Sequence, residues 1–124
     1  MKGAIVVVTP PTNLLAELAV VASESGFTVR VGGESVQVSD AEGRLLTMFE
    51  DADPGWEWRH ATPIGTDRQV ELSGFGGFAT ECRWEALFCE LIGALGARVR
   101  DVQVVDGDGV LWPADQLDAS RIRL

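Results

Sequence analysis

The sequence predicts an α+β domain, a two-layer sandwich in which a mainly antiparallel sheet carries two helices on one face. Three observations lead there. Residues 14–22 and 84–95 place apolar side chains at a 3.6-residue period, and each segment is followed by a glycine, Gly26 or Gly96. Most of the rest is short β-branched or alternating runs separated by Gly, Asp and Pro. Finally, residues 36–45 align with 102–111 at an offset of 66, each after a helix closed by glycine, which gives a β-α-β-β pseudo-repeat. Duplication would produce this, but so would two helix-plus-hairpin units converging on one turn chemistry, and convergence is the simpler account.

Residues 4–8 form a continuous apolar run, suited to a central strand, and Pro10-Pro11 ends it. Thr12 caps a helix whose stripe is Leu14, Leu15, Leu18, Val21 and Ala22, with Gly26 at C′. A short strand over 27–31 turns at Gly32-Gly33, and 36–38 pairs with 45–49 as a hairpin across residues 40–43. Residues 50–66 break the pattern and read as a long loop. Strand resumes over 68–73, and the Gly-rich stretch 74–78 turns the chain.

The organising helix is expected over residues 80–95. Its stripe is Trp84, Leu87, Phe88, Leu91, Ile92 and Leu95, its N-cap Thr80 and its C′ residue Gly96. A last hairpin, 99–105 with 110–112, turns at Asp106-Gly107-Asp108-Gly109; residues 115–124 are expected to be irregular, with Leu117 and Ile122 packed on the body.

A chain of 124 residues with 46% hydrophobic content suits a single domain, 1–124, with a sizeable core. Ten basic against nineteen acidic residues leave a net charge of −9, which disfavours nucleic acid and favours a basic partner. Cys82 and Cys89 lie seven apart on the expected helix, about 10 Å along its axis and too far for a mutual disulfide. The N-terminal apolar run is too short for a signal segment or a membrane span, so a cytoplasmic protein is expected.

Little catalytic chemistry is legible. Residues 74–79 fit the relaxed dinucleotide pattern G-x-G-x-x-A, but too few residues follow to build a doubly wound sheet, and a glycine turn explains them better. Asp106-x-Asp108 starts like a calcium loop and lacks its bidentate glutamate. With one histidine, no tyrosine and no nucleophile elbow, neither a triad nor a multi-histidine metal site can be assembled. No catalytic residue, cofactor or metal is therefore expected. The feature that stands out is the mixture of acid and tryptophan in Glu50, Asp51, Asp53, Trp56, Glu57, Trp58 and His60: carboxylates steer a basic partner and tryptophan anchors it. Those residues are the expected partner-binding site, although Trp56 and Trp58 folding back as a lid over the core would explain them equally well.

The C-terminal third, with Glu81-Cys82-Arg83-Trp84-Glu85, the leucine-rich helix, the run from Val104 to Trp112, Ala114-Asp115 and Ile122-Arg123-Leu124, resembles small actinobacterial immunity proteins of polymorphic toxin systems. The resemblance implies stoichiometric, non-catalytic binding that blocks a cognate toxin domain. The glyoxalase and bleomycin-resistance group, with paired modules of similar length, is the rival. Against it, residues 4–8 lack a metal-ligating His or Glu, and the second half reads one strand short. A regulatory module without enzymatic activity is a third alternative.

Overall fold

The computed structural model describes residues 3–9, 12–50 and 60–124. In chain order the elements are β1 (Ile5–Val8), α1 (Leu14–Glu24), β2 (Thr28–Val31), β3 (Ser35–Ser39), β4 (Leu45–Phe49), β5 (His60–Pro63), β6 (Val70–Glu71), β7 (Gly76–Cys82), α2 (Glu85–Arg98), β8 (Gln103–Val105) and β9 (Val110–Pro113), followed by a 3-10 turn (Ala114–Gln116). Among the described residues the strands form one nine-stranded sheet in the order β2-β3-β4-β7-β1-β8-β9-β5-β6. Every pair is antiparallel except β5 with β9. The protein is thus α+β, as the sequence predicts.

Strand β1 is central, held between β7 and β8, because its β-branched side chains are wanted on both faces. Val6 and Val8 join Val36, Val38, Leu46, Met48, Phe78 and Val104 in the core beneath the helices, where Leu14, Leu18, Leu87, Phe88, Leu91 and Leu95 meet them. Val7 points the other way. With Val105 and Leu111 it is covered by Ala61 and Leu72, while Phe75 and Val70 lie at the margin of this smaller cluster. Helix α1 keeps the expected stripe and is capped by Asn13 rather than Thr12, its Oδ1 accepting from the amides of Leu15 at 3.1 Å and Ala16 at 3.4 Å. Gly26 follows with φ +87°, the left-handed C′ residue expected.

The second helix begins later than its apolar period suggests. Residues 76–82 are strand β7, and Phe78, Thr80 and Cys82 alternate inward on it. Pairing of Gly76 and Gly77 with Val8 and Val7 of β1, continued by residues 79–82 against β4, overrides the weak strand propensity of the two glycines. Thr80 is therefore no N-cap. Its buried hydroxyl donates to Ala4 O at 2.6 Å and accepts from Ala4 N at 3.0 Å, closing the β1–β7 ladder just beyond the Ile5–Ala79 pair.

Trp84 takes the N-cap position instead. It makes no capping side-chain bond and is 45% exposed, so it is not the core residue the stripe implies. Gly96 is not the C′ residue either, because α2 runs on to Arg98. A Cβ at Gly96 would come within 2.4 Å of Ala114 Cβ, so this glycine lets the helix seat against the 3-10 turn. The glycine-rich stretch is a turn only in its first part, where Gly74 has φ +89°, and the loop expected to reach residue 66 gives way to strand at His60. The strand expected over 68–73 shortens to Val70–Glu71, and that expected over 99–105 to Gln103–Val105.

The pseudo-repeat is real at the level of its turns. Asp40 Oδ1 accepts from the amides of Glu42 and Arg44, and Asp106 Oδ1 from those of Asp108 and Val110, each at 2.9–3.0 Å; Gly43 and Gly109 then supply φ near +80°. It does not extend to the sheet. A twofold exchanging β1 and β7 would carry β4 onto β8, the second strand of one hairpin onto the first of the other. That mismatch favours convergence on a common turn.

Candidate functional site

The registers place Ser35, Phe49, Ala79, Ile5, Val105, Leu111 and Pro63 in one row across the sheet, on the face away from the helices. One end of that row is roofed by the Leu72 cluster. At the other end Glu34, Ser35, Phe49, Glu50 and Ala79 line a shallow depression of about 350 Å3. The Glu50 amide donates to Glu34 O at 3.0 Å, which extends the β3–β4 ladder and holds the two exposed glutamates side by side. An aromatic ring beside a pair of carboxylates suits a cationic side chain, since a guanidinium or ammonium can lie on the ring and reach the acids.

Of the sequence-predicted site residues, Glu50 lies at this depression and His60 opens β5, exposed, opposite Glu71. Asp51, Asp53, Trp56, Glu57 and Trp58 lie outside the described residues. The structure does not bring Glu50 and His60 together. Their strands are five register steps apart, on the order of 24 Å along a sheet with strands spaced about 4.8 Å. Glu34, Ser35 and Phe49 escape the sequence reading, although the alternation in β4 contains the signal: with Leu46 and Met48 committed to the core, Phe49 must face the other way.

Other candidate groups are accounted for locally. The Asp106 carboxylate is occupied by the amides of Asp108 and Val110, the Trp112 indole and, at 3.4 Å, the Arg123 amide, so it serves the turn rather than a calcium ion. Among the described residues no group of three or more His, Cys, Asp or Glu side chains is placed to hold a metal, and no helix is long and apolar enough to cross a membrane. Cys82 and Cys89 are not joined in a disulfide. Burial, reinforced by the charges of Asp118 and Glu85, pushes the Cys89 thiol up to about 11, so it is protonated at neutral pH. Iodoacetamide should accordingly alkylate it about two orders of magnitude more slowly than a model thiol at pH 7.5, since only the thiolate reacts. Peptide mapping after timed alkylation reads this directly, and rapid labelling of Cys89 would contradict it.

Comparison with protein-family models, with curated proteins and with solved structures finds no match.

Proposed function

We propose that this protein is a non-catalytic binding protein of the immunity type, which neutralises a cognate toxin domain by direct stoichiometric association. The observation that carries the reading is the depression at the end of the β3–β4 ladder, lined by Phe49 together with Glu34 and Glu50, in a chain of net charge −9. Such a surface attracts a basic protein at long range and offers it an aromatic contact at short range. The C-terminal resemblance to immunity proteins supports the same reading. Glu50 also opens the acid-and-tryptophan segment expected to bind the partner.

The test is protection. When a toxic domain encoded directly beside this chain is induced in a heterologous host, co-expression should restore growth, and the two purified proteins should elute as a 1:1 complex. Replacing Glu34 and Glu50 together by glutamine should then slow association and flatten its salt dependence, leaving dissociation nearly unchanged. Growth arrest that persists while both proteins are soluble would refute the reading.

A further inference from the structure

The mixture of exposed tryptophan and carboxylate that the sequence suggests for residues 50–60 occurs among the described residues at another place, the start of α2. Trp84 is 45% exposed, and it belongs to neither apolar cluster. Nor does it serve the helix it opens, because an indole offers no acceptor for the first-turn amides, where Ser, Thr, Asp or Asn would stabilise the cap. A large aromatic residue that supports neither core nor cap breaks a local rule with no structural return, and such positions are where function is to be sought.

Its surroundings are acidic. The β4–β7 ladder ends at the Leu46–Cys82 pair, so the residues just before Leu46 and those just after Cys82, where the chain bends into Trp84, leave the sheet at the same edge. Leu45, 43% exposed, is in that stretch. Glu85 stands in the first turn of α2, where it also offsets the positive end of the helix dipole. Glu90, one turn further, is close enough to act on Arg44, whose guanidinium is held above its ordinary value chiefly by its hydrogen bond to Asp40 and further by the charges of Asp40, Glu42 and Glu90. Asp40 and Glu42 hold Arg44 at 2.6 and 3.7 Å, and Glu85 and Glu90 add negative charge along the first turns of α2.

We infer that Trp84 is the aromatic anchor of a docking surface for a basic protein segment, flanked by Leu45 and framed by Glu42, Glu85 and Glu90. The inference rests on the binding reading above and adds a second contact, at the opposite end of β4 from the depression. The occupant is an extended or helical segment in which Arg or Lys alternates with apolar residues. Its cations meet the carboxylates and stack on the indole, and its apolar residues cover Leu45.

The experiment needs no toxin. An alternating Arg-Leu nonapeptide is titrated into the isotopically labelled protein at low salt, and amide and indole shifts are followed. The Trp84 indole and the amides of Leu45, Glu85 and Ala86 should move most. Trp84→Ser should weaken binding at least tenfold while the Tm stays level or rises, because serine caps the helix. Glu42→Gln with Glu90→Gln should keep the same map and lose most of the salt dependence. Shifts centred elsewhere, no saturable shifts, unchanged affinity in Trp84→Ser or a fall in its Tm would each overturn the inference. A peptide that maps to Trp84 beside a failed growth rescue would sink the immunity reading and leave this surface standing.

Discussion

Replacing Leu91 by alanine should destabilise the protein by about 2–5 kcal/mol, the range for large-to-small changes at sites that cannot collapse. Leu91 is 1% exposed and lies among the α2 residues that fill the space between helices and sheet. Leu87, Phe88, Ile92 and Leu95 of the same helix are also buried, so the site lies within a packed face. A substantial share of a typical domain's 5–15 kcal/mol of stability would therefore be at risk from one residue. Ala86, exposed on the same helix, supplies the control, and Ala86→Ser should cost well under half as much. Urea melts with an unchanged slope would report the difference as a shift in midpoint. A cost for Leu91→Ala in the surface range would mean that α2 does not pack as described.

The elements legible in the sequence are those whose local preference and tertiary role agree. β-branched residues in β1, the stripe of α1 with Gly26, and the hairpin turns at Asp40 and Asp106 all follow from short-range chemistry. Strand β7 is illegible for the opposite reason. Its glycines disfavour a strand, while Thr80 and Glu81 ahead of an apolar period imitate a helix start, and only pairing with β1 and β4, distant in the chain, decides between them. Trp84 fits the helical stripe by spacing alone. Its place at the N-cap turns it outward, a position that no periodicity can register. The depression is partly legible, because Glu50 is an expected contact, but Glu34 reaches it through the β3–β4 register rather than through proximity in sequence.

Asp106→Ala should be the most damaging polar substitution among the described residues. The Asp106 carboxylate is 6% exposed and gathers donors from three places: the turn amides of Asp108 and Val110, the buried Trp112 indole at 2.9 Å, and the Arg123 amide near the C-terminus. Alanine would orphan the indole N–H inside the protein and loosen the turn together with the terminal segment. Hydrogen bonds to charged groups contribute about 1.5–3 kcal/mol each, and a stranded buried donor costs a further 1–3, so a loss of about 3–5 kcal/mol is expected after partial relaxation. The substitution Asp106→Asn separates charge from geometry. An asparagine's single carbonyl oxygen can accept from the turn amides or from the indole, and its amide nitrogen must then face another donor, so this variant should recover only part of the loss. The Trp112 indole proton offers an independent reading by hydrogen exchange, with protection falling sharply in both variants. If Asp106→Ala melts within a few degrees of the wild type and the indole stays protected, the carboxylate is not the clasp that joins the β8–β9 turn to the chain's end.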